Sequence, residues 1–121
     1  MYSYFKDKKF LVFEKETSRK ANLYKYYLNI DTIESLSKKN HILKELSQHK
    51  YDFLIIELGR LSDDIIDFIN DLKAMYKDLF IVVLSITNKM NIDQQKTKNI
   101  DLYLERPMIP KNVINKLKDN I

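Results

Sequence analysis

The stretch Tyr51-Asp52-Phe53-Leu54-Ile55-Ile56-Glu57-Leu58-Gly59 decides how this chain is expected to fold. Phe53, Leu54, Ile55, Ile56 and Leu58 form a short, branched apolar run that suits a strand covered on both faces, as in a parallel sheet. An unpaired carboxylate inside such a strand would be costly. Glu57 is therefore expected at the strand's carboxyl end, where open α/β sheets gather their chemistry.

Four more short apolar or alternating segments surround it: Lys9 to Phe13, Thr32 to Leu36, Leu79 to Leu84 and Leu102 to Leu104. Helical patterns separate them. Thr17 or Ser18 can cap a helix whose stripe is Leu23, Tyr24, Tyr27 and Leu28, with Tyr24, Tyr26 and Tyr27 read as helix packing. Asn40 can cap a second helix that turns Ile42, Leu43 and Leu46 inward. Ser62 followed by Asp63 and Asp64 is a helix start, with a hydroxyl for an orphan N–H and two acids at the positive helix end. Ile65, Ile66, Phe68, Ile69, Leu72 and Met75 then form its buried face, and Pro110 opens a last helix with Val113, Ile114, Leu117 and Ile121 on one side. Between Thr87 and Asn99 only Met90 and Ile92 are apolar, so a helix there can bury little.

Alternation of β with α predicts right-handed crossovers and an α/β sandwich, a parallel five-stranded sheet with helices on both faces. Thr32–Leu36 and Leu102–Leu104 are the least apolar strands and belong at the edges, with the strands around Val12, Ile55 and Val82 in the centre. This is the flavodoxin-like (βα)5 order 2-1-3-4-5, whose site lies beyond the carboxyl ends of strands 1, 3 and 4.

With 121 residues, 45% apolar and 31% charged, the chain has the make-up of one ordinary globular domain spanning 1–121. Its net charge of +4 comes mostly from scattered lysines, which reads as a solvated surface and not as a nucleic-acid footprint with clustered arginines. Cysteine is absent, which removes disulfides and thiolate metal sites and fits the cytoplasm. No stretch approaches the roughly 18 apolar residues of a membrane span, so a membrane is not an expected partner. A single glycine, Gly59, allows no glycine-rich phosphate loop and is read as serving a turn with positive φ. His41 and His49 lack the companions of a metal site.

The residues just after the strands are Glu14, Lys15 and Glu16, then Glu57, Ser85 and Arg106. Together with Lys9–Glu16, Tyr51–Glu57, Ile81–Ile86, Asp101–Pro107 and Pro110, they make the chain resemble the response-regulator receiver domain, the CheY-like family, over nearly its whole length. That resemblance implies a phosphoacceptor Asp at position 57, an Mg²⁺-holding acid pair at 14 and 15, and a hydroxyl at 85 and Lys at 106 on the phosphoryl oxygens. It further implies an aromatic switch at Tyr103 and a cis peptide before Pro107.

The chain departs from the pattern at most of these places. Glu57 carries its carboxylate roughly 1.5 Å farther out than Asp would, which disfavours in-line transfer. Lys15 replaces a hard oxygen ligand with a cation, so Mg²⁺ binding is expected to be weak or absent and no other cofactor is implied. Ile86 stands where a small residue admits the phosphoryl group, and is expected to close the entrance. Arg106 offers a planar fork suited to bidentate pairing with Glu57. The expected site is thus an internal salt-bridge cluster of Glu14, Lys15, Glu57 and Arg106. An ion pair of purely structural meaning remains open, and Tyr103 could serve simply as a good β former.

The function expected on these grounds is a degenerate receiver, or pseudo-receiver: a non-enzymatic signalling module of two-component type that binds a protein partner without phosphorylation. Its binding surface would be the last helix, the last strand around Tyr103, and Thr87 to Lys98, a surface that could also form a homodimer. The alternatives are an active phosphoacceptor receiver and the receiver part of a DNA-binding response regulator.

Overall fold

A computed structural model of the chain describes residues 5, 7–14, 30–33 and 39–121. Five strands run β1 (Phe10–Glu14), β2 (Ile30–Ile33), β3 (Phe53–Glu57), β4 (Phe80–Ser85) and β5 (Leu102–Glu105). Three helices are described, α1 (Lys39–Gln48), α2 (Asp63–Met75) and α3 (Pro110–Asp119), with a 3₁₀ turn at Lys89–Asn91. The expected helix after Thr17 and Ser18, its Tyr24, Tyr26 and Tyr27, and the end of the second strand through Leu36 lie outside the described residues.

The sheet order is β2-β1-β3-β4-β5 and every pairing is parallel, so the flavodoxin-like architecture expected from the alternation is the one observed. Phe10 aligns with Phe53, and Glu14 with Glu57, which brings the carboxyl ends of β1 and β3 level. Side-chain alternation along the central strands splits the interior in two. One core, under α3, joins Phe5, Phe10, Phe53, Ile55, Val82 and Val113; the other, under α1 and α2, joins Leu54, Ile56, Ile69, Leu72, Ile81 and Val83. Residues adjacent in sequence, such as Leu54 and Ile55, therefore feed opposite cores, which is why the strands read as unbroken apolar runs.

Helix α2 begins where its signals place it: the Ser62 hydroxyl accepts from the Ile65 N–H at 3.3 Å, with Asp63 and Asp64 in the first turn. Two expected core residues are corrected. Met75, in the last turn of α2, is 61% exposed, and Ile121, beyond the end of α3, is 46% exposed; both sit past the last turn that the sheet can cover. Asp101 ties β5 to β4, its Oδ2 accepting from the Ile81 N–H and from Lys73 Nζ, each at 2.7 Å, while Lys73 also donates to the Leu79 carbonyl at 2.6 Å.

The crossover from β4 to β5 makes only the 3₁₀ turn, followed by turns over 94–99. Its polar side chains cap it locally, Asn88 accepting from the Met90 N–H and Asp93 from the Gln95 N–H. Too few apolar residues are available there to hold a helix on the sheet.

Candidate functional site

The carboxyl ends of β3, β4 and β5 meet as the register dictates. Glu57 is only 5% exposed, the one buried charged side chain among the described residues. Arg106 Nε lies 3.3 Å from Glu57 Oε1, and Arg106 Nη1 donates to the Leu58 carbonyl at 2.6 Å. The fork expected to grip the carboxylate with two limbs is instead divided between a carboxylate and a backbone oxygen. Leu58 follows directly on the end of β3, and its carbonyl there draws a charged donor. The Arg106–Pro107 peptide is cis, and the Arg106 N–H donates to the Ser85 carbonyl at 2.9 Å, which holds the base of the side chain against β4.

Ser85 is fully buried and its hydroxyl is engaged twice. It donates to the Gly59 carbonyl at 3.0 Å and accepts from the Thr87 N–H at 3.0 Å. The Gly59 carbonyl also accepts from the Ile86 N–H at 2.7 Å, stitching the turn after β3 to the end of β4. Gly59 itself does not have positive φ, and a Cβ there would meet nothing within 4 Å. The expectation of a left-handed turn is corrected: what this turn uses is the residue's carbonyl, which any amino acid supplies. Ile86 follows Ser85 with 54% of its surface in solvent.

Lys15 and Glu16 lie outside the described residues, and of Glu14 the backbone alone is described, paired in register with Glu57. Among the described residues no group of three or more His, Asp or Glu side chains is placed to hold a metal ion.

Tyr103 packs its ring against the α1–α2 core and donates its hydroxyl to the Thr87 carbonyl at 2.5 Å. Burial pushes its phenol above the ordinary 10.0; the Ser85 and Thr87 hydrogen bonds oppose this and the Glu105 charge adds to it. A raised phenol pKa contributes stability that is present below pH 10 and is lost as pH rises through the folded value. In alkaline absorbance titration, Tyr103→Phe should remove one late-ionising tyrosine and flatten the loss of stability above pH 10. An unchanged titration curve would deny Tyr103 this environment.

Thr87 was not singled out by the sequence, yet it joins three elements. Its hydroxyl accepts from the Leu61 N–H at 3.1 Å, its N–H reaches Ser85 and its carbonyl takes the Tyr103 hydroxyl. A second polar residue right after a buried strand end was the available signal.

No protein-family model and no curated protein sequence matches the chain. Solved structures do. The response regulator TrrA of Thermotoga maritima, in complex with Mg²⁺ and BeF, superposes with a TM-score of 0.72 at 19% identity, covering 94% of this chain and 99% of that one. The fold is that of response-regulator receiver domains. A CheY-like receiver from Methylobacillus flagellatus (TM-score 0.70, 19% identity, 94% and 98% covered) is similar. So is the chemotaxis protein CheY4 of Vibrio cholerae (0.72, 15% identity, 94% and 98% covered). This receiver fold carries Glu57 at the end of its central strand, with Arg106 reaching it from the end of β5.

Proposed function

We propose that this chain is a two-component-type receiver module of degenerate kind, which signals by binding a protein partner without Mg²⁺-dependent phosphotransfer and without enzymatic activity. Arg106 carries this reading. Its guanidinium already lies on Glu57 and on the Leu58 carbonyl, where a receiver of the usual pattern would present an acceptor carboxylate to a metal and a phosphoryl group. Ser85 supports it from the other side, since a hydroxyl bonded to Gly59 and Thr87 is committed to the fold. Glu14, Lys15, Glu16, Ile86 and Pro107 frame the same strand ends in sequence, with Lys15 a cation where the usual pattern has an acid. The partner surface in this reading is the 3₁₀ segment, β5 around Tyr103, and α3; a homodimer through β5 and α3 uses the same face. The expected setting is the cytoplasm, and neither membrane nor nucleic acid is a partner of this domain by itself.

Incubation with acetyl phosphate or beryllofluoride and Mg²⁺ tests the proposal. No stoichiometric mass shift and no saturable Mg²⁺-dependent spectral change are expected. A signal that Glu57→Gln abolishes would establish an active receiver instead.

A further inference from the structure

At the amino ends of β3 and β4, the opposite ends from Glu57, the last turns of α1 and α2 border a cavity of about 440 Å³. It is lined by the buried Leu46 and Leu79, by the rings of Tyr51 and Tyr76, and by Met75, the thioether that the sheet leaves 61% exposed. These walls are held in place by bonds of their own. The Tyr51 hydroxyl donates to Glu45 at 2.7 Å, the Tyr76 N–H to the Leu72 carbonyl at 2.7 Å, and the Leu79 N–H to the Tyr76 carbonyl at 3.1 Å, while the Leu79 carbonyl accepts from Lys73. A hollow of this size with an apolar, aromatic wall and a few polar groups has the make-up of a preformed small-molecule site.

Charges of both signs share the lining. Lys50 and Lys77 are exposed there, and so are Asp78 and His49. Among the described residues no salt bridge joins Asp78 to either lysine. The carboxyl ends of α1 and α2 add partial negative charge on the side of Asp78. Outside the lining, Lys9 lies 5.1 Å from the centre of the Tyr51 ring, and Glu45 is engaged by the Tyr51 hydroxyl.

We infer that this cavity binds a small aromatic zwitterion, a molecule of the aromatic amino-acid class. Its ring lies against Tyr51, Tyr76 and Met75, where ring–ring and sulfur–ring contacts add to the burial of apolar surface. Its carboxylate meets Lys50 and Lys77, and its ammonium group meets Asp78 and the helix-end carbonyls. A simple anion would leave Asp78 and the helix ends opposed to it, and a simple cation would face the two lysines. Only a ligand with both charges is matched at every group. This site does not rest on the partner-binding reading above, since it shares no residue with the strand ends that carry Glu57, Ser85 and Arg106.

The test titrates the isotopically labelled full chain, by amide NMR, with L-tryptophan and with its two half-charged relatives, indole-3-propionate and tryptamine. Saturable shifts are expected at His49, Lys50, Tyr76 and Lys77, with L-tryptophan binding tightest of the three. The double variant Lys50→Glu with Lys77→Glu should weaken L-tryptophan about tenfold, the worth of two exposed ion pairs, and should not weaken tryptamine. Asp78→Asn should weaken L-tryptophan and tryptamine about threefold and leave indole-3-propionate unchanged. All three positions are exposed, so these variants keep the fold. Shifts that grow linearly without saturating, or that lie on other faces, would overturn the site. So would equal binding by L-leucine, which has both charges and no ring, or tighter binding by either half-charged relative.

Discussion

Replacing Arg106 with methionine is expected to lower the free energy of unfolding by about 3 kcal/mol. Glu57 is 5% exposed, so its charge has little water to fall back on once the guanidinium is gone. Removing one partner of a buried pair typically costs about 3–5 kcal/mol; the Arg106 side chain, 32% exposed, belongs at the lower end of that range. The Leu58 carbonyl loses its 2.6 Å donor in the same substitution. Arg106→Lys keeps the charge but not the divided fork, and should cost about 1 kcal/mol, the worth of one hydrogen bond. Pairing Arg106→Met with Glu57→Leu should recover most of the stability, since an apolar pair needs no compensation. Urea unfolding of the single variants and the double variant closes the cycle. A loss below about 1 kcal/mol for Arg106→Met would mean that Glu57 does not depend on it.

Phe53→Ala carries the other large expected effect, a loss of about 4 kcal/mol. Phe53 begins β3 and stacks on Phe10 with centroids 4.4 Å apart and planes at 12°. Phe5 meets it edge-on at 5.8 Å, and Phe80, its ring tilted by 60°, at 5.6 Å. Truncation therefore removes a large buried side chain and three ring contacts, and the strand backbone around it, hydrogen-bonded on both sides, cannot collapse into the space. Thermal or urea unfolding measures the loss, and a value near 1 kcal/mol would show the cluster to be loosely packed. Phe53 and Glu57 stand at opposite ends of β3, roughly 13 Å apart at the usual strand rise. The Phe53→Ala and Arg106→Met losses should accordingly add.

Most of the fold was legible because its signals are local. The unbroken apolar runs at β3 and β4 marked central strands, the less apolar runs marked edges, and Ser62-Asp63-Asp64 marked the start of α2. Met75 and Ile121 were misjudged because helical periodicity says which side a residue takes and not where the covering surface stops. Gly59 was misjudged because composition signals what a residue permits, not what its turn requires. The low apolar content of the crossover after β4 announced a weak element; the cavity between the ends of α1 and α2 was invisible.

The candidate site divides the same way. Strand alternation and chain order were enough to bring Glu57, Ser85 and Arg106 to neighbouring strand ends, since a parallel sheet of this order allows no other placement of carboxyl termini. Where each polar atom goes was decided only by the packed structure. Arg106 divides its fork between Glu57 and the Leu58 carbonyl, the Ser85 hydroxyl turns to Gly59, and Thr87 becomes the acceptor for Tyr103. Those choices depend on backbone carbonyls and N–H groups, which every residue carries and no sequence pattern distinguishes. Only the fold determines which of them face a buried side chain.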